Sequence, residues 1–198
     1  LLPWDHDIDF AVWESETTRD EIINIFTDNG YKEERVFGDM DCLHFYGENK
    51  KIDISFYKTE NGLSSVKWAI PPDSLIVKTY LYCVQVIWRG SDKNIELFEN
   101  FLKRGVQIIL NKSSLLLSFI LPIKVKKLLY LNAINFLNYT GYSYPVDLMR
   151  LHTVQYKNTK IQVPIDSSQC LELTYGKDWK IPRENYIWHE EAKNLINL

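Results

Sequence analysis

The first thirteen residues alternate before they turn apolar. Asp5, Asp7 and Asp9 interleave with His6, Ile8 and Phe10, and Ala11-Val12-Trp13 follow. This pattern predicts a strand over 5–13 whose opening residues carry one polar face. Thr17 or Thr18 then starts a helical pattern with Ile22, Ile23 and Phe26 on one side. Asp20 and Glu21 lie in its first turn, where the helix dipole favours acids, and Asn29-Gly30 ends it with Gly30 as a left-handed cap. Three strand-like pieces come next, Tyr31–Phe37, Cys42–Tyr46 and Lys51–Tyr57, separated by Gly38-Asp39 and Gly47-Glu48-Asn49. In the third, Asp53 and Ser55 share a face opposite Ile52, Ile54 and Phe56, and Glu60-Asn61-Gly62 closes it.

The middle of the chain, roughly 65–140, reads mainly as a helical insertion. Leu75–Trp88 is β-branched and apolar, and its pattern fits a strand or a buried helix equally. Asp92–Leu110 has helical spacing through Ile95, Phe98, Leu102 and Val106. Val125–Tyr139 has it through Leu128, Leu129, Leu131, Ile134 and Leu137. That last stripe is expected to pack in a core or on a partner; a helix lying on a membrane surface is the alternative, because Lys124, Lys126 and Lys127 flank it. Beyond it the pattern predicts short strands at His152–Tyr156 and Lys160–Val163. A helix from Ser167 through Tyr175 follows, stopped by Gly176, and then an extended Trp179–Pro182 segment. The expected whole is one domain of α/β (α+β) class.

Composition narrows the function classes. The net charge of −3 and a single short basic cluster argue against nucleic acid as a partner, since phosphate neutralisation drives such binding. Cys42, Cys83 and Cys170 form no CxxC pair, so neither a structural zinc site nor a disulfide framework is expected. The most apolar run, Leu115–Leu121, is too short to span a bilayer. The chain opens at Leu1-Leu2-Pro3 without Met and reads as the interior of a longer protein.

Chemistry concentrates in the acids. On a strand Asp5, Asp7 and Asp9 point one way, and three like charges on one face are costly without a cation between them. Oxygen donors favour Mg²⁺, Mn²⁺ or Ca²⁺. Asp53, charged within an apolar strand, also needs a partner or a metal. Two strands offering inward carboxylates form a pattern of metal-assisted phosphoryl transfer. Surface acids are the bland alternative. A calcium loop is excluded, since Ala11 and Thr17 stand where an EF-hand needs Gly and Glu. His6, His44, His152 and His189 lack ligand spacing, and no GxGxxG, phosphate-binding loop or serine-nucleophile motif is present. Tyr175-Gly176-Lys177-Asp178-Trp179 is an aromatic–basic turn that suits a phosphate or sugar, although a helix cap is its default reading.

Leu2-Pro3-Trp4-Asp5-His6-Asp7-Ile8-Asp9 resembles the opening signature of the LicD family. Phe37-Gly38 with Lys51–Tyr57 resembles the strand that carries that family's third acid. Val163-Pro164 and Leu171–Pro182 are similar to its closing segment, with wording that leans towards the fukutin branch. The resemblance implies a nucleotidyltransferase-like, DNA polymerase beta-like mixed sheet flanked by helices. It implies that Asp7, Asp9 and Asp53 bind Mg²⁺ or Mn²⁺ and act in catalysis. Trp4, Asp5, His6, Tyr175, Lys177 and Trp179 would then support the site or bind substrate. The implied reaction moves a phospho-alditol or phosphocholine group from a CDP-linked donor to a glycan hydroxyl. The alternatives are a nucleotidyltransferase that releases pyrophosphate, and a non-catalytic glycan- or partner-binding member of the fold. The superfamily's Gly-rich phosphate-binding turn would lie before Leu1, so little activity is expected of these residues alone. Relatives of this kind work at the bacterial inner membrane or in the Golgi and secretory pathway, and peripheral membrane association is compatible with both.

Overall fold

The computed structural model describes residues 7–34, 38, 41–47, 50–70, 72–90 and 101–197. They form a mixed α/β structure that divides into two compact units, residues 1–68 with 139–198, and residues 69–138.

The first unit is built on β1 (Asp7–Trp13), α1 (Arg19–Asp28), β2 (Lys32–Glu34), β3 (Cys42–Gly47), β4 (Lys50–Glu60) and β5 (Leu63–Ile70). Thr18 caps α1 through a reciprocal capping box with Glu21, which satisfies backbone donors at the helix start. Gly30 follows the helix with φ +85°, as its sequence position predicts. β4 is the hub of the sheet. Its eleven residues pair with β1 in parallel along Lys51–Tyr57, with β3 antiparallel along Lys50–Ser55, and with β5 antiparallel along Lys58–Glu60. Asn61 and Gly62 join β4 to β5 with φ of 51° and 77°. Two successive positive φ values define the hairpin turn that Asn-Gly favours.

β4 alternates between two environments. Ile52, Ile54 and Phe56 face a core completed by Leu43 and Phe45 of β3, against which Val12, Ile22, Ile23 and Phe26 pack. Phe26 of α1 stacks on Phe45 at 4.6 Å between ring centroids. Asp53, Ser55 and Tyr57 take the opposite face. There Cys42, Tyr57 and Val66 meet Tyr144, Met149 and Cys170 from the second half of the chain.

That half supplies β6 (Asn138–Pro145), a 3-10 turn (Val146–Met149), β7 (Leu151–Tyr156), β8 (Thr159–Pro164), α5 (Ser167–Tyr175), α6 (Trp188–Glu191) and β9 (Leu195–Asn197). Among the described residues the larger sheet runs β2-β3-β4-β5-β6-β9, with β1 also on β4, while β7 and β8 form a separate hairpin. Gly141 of β6 is required by contact: a Cβ there would stand 1.9 Å from the Val66 carbonyl oxygen.

The second unit carries α2 (Leu75–Arg89), α3 (Phe101–Ile120) and α4 (Ile123–Ile134). Leu75–Trp88, ambiguous in sequence, is helical, and buries Leu81, Tyr82, Val84, Val86 and Ile87. The helical segment is narrower than its expected limits. Leu63–Ile70 is a strand, and α4 stops at Ile134, because Asn138–Pro145 pairs as β6 instead of extending the helix to Tyr139. The start of the predicted 92–110 helix lies outside the described residues. Of the α4 stripe, expected in a core or on a partner, Leu128 and Leu131 are 68% and 50% exposed, and α4 fully buries Ala133 alone among its described residues.

Candidate functional site

The site follows from strand register. Parallel pairing of β1 on β4 sets Asp9 opposite Asp53 and Asp7 opposite Lys51. Side-chain alternation then puts Asp7, Asp9, Lys51 and Asp53 on one face, shared with Trp13 and Tyr57. Antiparallel pairing of β3 adds His44 opposite Asp53 on the other flank. One carboxylate oxygen from each of Asp7, Asp9 and Asp53 lies within 4.8 Å of the other two. The three acids selected from the sequence therefore converge, and the predicted shared face of Asp53 and Ser55 is observed. Trp4, Asp5 and His6 lie outside the described residues.

Two groups that sequence reasoning passed over hold this cluster. The Lys51 ammonium donates to Asp53 Oδ2 at 2.6 Å and stands 3.9 Å from Asp7 Oδ2. His44 Nδ1 lies 2.8 Å from Asp53 Oδ1. Burial pushes the Asp53 carboxyl upward, but the bonds from His44 and Lys51 outweigh it, so its pKa is lowered. Burial likewise opposes charge on Lys51, and the Asp53 and Asp7 carboxylates reverse that effect and raise its pKa. A signal for one of the two was present in the sequence. Lys51 is two residues before Asp53 on an alternating strand, hence on its face, whereas His44 required knowledge of the β3–β4 register.

An aromatic wall adjoins the acids. Tyr142 of β6 packs edge-on against Trp68 of β5 at 5.1 Å and against Tyr144 at 6.3 Å. Burial drives the Tyr142 hydroxyl far above its usual range, with Tyr175, Tyr186, Tyr144 and Asp9 adding to the rise. Tyr175, at the end of α5, packs on Tyr186 with ring centroids 5.0 Å apart. Thr174 anchors this corner: its hydroxyl lies 2.6 Å from that of Tyr144, and its carbonyl accepts from the Tyr186 hydroxyl at 2.6 Å. Of the aromatic–basic turn picked from the sequence, Tyr175 thus joins the aromatic group around Tyr186. Lys177 and Trp179 lie in the following turn, and no described hydrogen bond or ion pair joins them to the acids. The Trp179 ring instead has the Lys180 ammonium 5.4 Å from its centre.

The donor set suits a hard divalent cation. Among the described residues it offers carboxylate oxygens, with the Lys51 ammonium beside them. The thiols of Cys42, Cys83 and Cys170 are not part of it. No family model, curated protein or solved structure matches this chain.

Proposed function

We propose that the first unit is a phosphotransferase domain of nucleotidyltransferase-like fold, moving a phospho-alditol or phosphocholine group from a CDP-linked donor to a glycan hydroxyl. The observation that carries this reading is the register that sets Asp9 against Asp53, with Asp7 on the same face, so that three carboxylates meet within 4.8 Å. The LicD-like wording of the Asp7–Asp9, Lys51–Tyr57 and Leu171–Pro182 segments supports the same chemistry.

Asp7, Asp9 and Asp53 would hold Mg²⁺ or Mn²⁺, which when bound supplies positive charge to offset that of the donor's phosphates. His44 fixes the rotamer of Asp53, and Lys51 keeps a second positive charge beside it. The aromatic wall of Trp68, Tyr142, Tyr175 and Tyr186 offers ring faces for the donor's base or the acceptor's sugar. In the reaction the acceptor oxygen bonds to the distal phosphorus, the bond from that phosphorus to CMP breaks, and the hydroxyl proton is lost. Asp9, the most exposed of the trio, is the better proton acceptor. Asp53 is engaged by two donors and is the poorer base.

A second reading rests on Lys51. Its ammonium already balances part of the acidic charge, as a non-catalytic binding module would need. One experiment separates the readings. The melting temperature is followed with Mn²⁺ or Mg²⁺, with and without CDP-ribitol, CDP-choline or CDP-glycerol, and the products are analysed. A metal-dependent rise enlarged by one donor is expected, with CMP as the product of whatever turnover occurs. Pyrophosphate release would indicate nucleotidyl transfer, and absence of any metal or donor effect would favour the binding module.

A further inference from the structure

Helix α3 is amphipathic in the reverse sense to a helix of a water-soluble core. Among its described side chains the positions it buries are Ser114 and Ser118, and its contacts to α2 include Gln107 and Asn111, which bond the Tyr82 hydroxyl. Its apolar residues point outward instead: Ile108 and Ile109 are 54% and 66% exposed, Leu116 is 61% and Phe119 is 77% exposed. The exposed set continues across Pro122 into α4 through Ile120 and Ile123. Polar contacts inward and aliphatic side chains outward invert the arrangement that burial from water selects. A contiguous apolar surface of this kind marks an interaction site.

The charge pattern of the same segment indicates what covers it. Between Glu99 and Asp147 the chain has no acidic residue and six basic ones: Lys103, Arg104, Lys112, Lys124, Lys126 and Lys127. The rest of the chain holds 17 basic against 26 acidic residues, a balance of −9. Lys124 and Lys127 are exposed beside Ile123 and Leu128. Among the described residues no helix is long and apolar enough to cross a membrane.

We infer that the segment joining α3 to α4 is a membrane-surface anchor: Phe119, Ile120 and Ile123 enter the acyl boundary of an anionic leaflet while Lys124, Lys126 and Lys127 engage its headgroups. Phe119, Ile120 and Ile123 together at the turn form an apolar surface without guanidinium groups, which matches lipid better than nucleic acid. Clustered lysines beside an apolar insertion are the pairing by which interfacial helices select anionic membranes. The assignment does not depend on the phosphotransferase reading.

Flotation of the full chain with vesicles of phosphatidylcholine alone, or of phosphatidylcholine with phosphatidylserine, tests it. Binding is expected to the anionic vesicles and to weaken in high salt. Phe119→Ser with Ile123→Ser should cut binding roughly tenfold or more. Lys124→Gln with Lys127→Gln should lower it roughly fivefold per lysine on the anionic vesicles. All four positions are exposed, and an unchanged circular dichroism melt shows that each variant folds. No binding to anionic vesicles by folded protein, or equal binding by Phe119→Ser/Ile123→Ser, overturns the inference. So does a self-association that the same double variant abolishes while vesicles fail to bind, because the face would then belong to a second copy of the chain.

Discussion

Asp7→Asn and Asp53→Asn remove the same charge from the same cluster, and the structure assigns them opposite effects on stability without metal. At 4.8 Å a like-charge pair costs about 1 kcal/mol in a water-like dielectric and about 3.5 kcal/mol at an effective dielectric of 20. Asp7→Asn relieves two such repulsions, with Asp9 and Asp53. Among the described contacts it gives up the attraction to Lys51 at 3.9 Å, of about 1 kcal/mol in the water-like limit. The balance is a gain of about 1 kcal/mol at low salt, which for a chain of this size raises the melting temperature by about 2–4 °C. Asp53→Asn relieves two repulsions as well. It also removes the 2.6 Å ion pair with Lys51 and the charge-assisted bond to His44 from a partly buried side chain, each about 1.5–3 kcal/mol. Its net effect is a loss of about 1–4 kcal/mol.

The assay is a thermal melt of both variants in EDTA at two ionic strengths, repeated with Mn²⁺. Added salt should shrink the Asp7→Asn gain, since the repulsions it relieves are partly exposed. Added Mn²⁺ should raise wild type above Asp7→Asn, reversing their order. If Asp7→Asn loses stability in EDTA, or gains it independently of salt, then like-charge repulsion is not what the cluster stores, and the Asp7 side chain has a structural role instead.

Further outcomes follow from the same geometry. Lowering the pH should remove the stability that Asp53 contributes: its pKa is depressed in the fold, so the contribution is complete above the unfolded carboxylate range near ~4 and disappears as pH falls through the folded value. Denaturant titrations of Asp53→Asn should lack that acid-side loss. Gly141→Ala should prevent β6 from seating on β5, at a cost above about 3 kcal/mol, because the contact at 1.9 Å is with backbone and no rotamer relieves it. A soluble variant with a wild-type urea midpoint would contradict this. Lys58→Met should cost about 3–5 kcal/mol by leaving Asp41, 3% exposed, without its 2.5 Å ammonium partner, and Asp41→Asn in the same chain should recover part of the loss.

The sequence disclosed the elements whose patterns are local. α1 and α5 carry their own caps, Thr18 with Glu21 and Asp166 before Ser167, and each was placed to within a residue or two. β4 was legible because Ile52, Ile54 and Phe56 alternate with Asp53 and Ser55. What escaped was set by tertiary pairing. β6 reads Asn-Tyr-Thr-Gly-Tyr-Ser-Tyr-Pro, rich in turn formers, and becomes a strand because Val66 lies close enough to exclude any side chain at Gly141. The helical face of α4 was visible, yet periodicity reports only that one side is apolar, not that a core lies against it.

The same distinction explains how much of the candidate site could be read. Alternation is a property of a single strand, so it disclosed that Asp7 shares a face with Asp9, and that Asp53 shares one with Ser55. That these two faces are one face depends on the parallel register of β1 on β4, which no single segment encodes. The register also changes the electrostatic argument. Read alone, the acids imply a site that is unfavourable until a cation arrives. In place, Lys51 and His44 already hold Asp53, while Asp7 and Asp9 leave the cluster with more negative than positive charge. On the phosphotransferase reading proposed above, such a site would fold without metal and still attract one. A domain with Lys51→Ala should therefore be less stable in EDTA and bind Mn²⁺ more tightly. Isothermal titration that finds unchanged or weaker Mn²⁺ affinity in that variant would show that Lys51 does not compete for the carboxylates a cation would use.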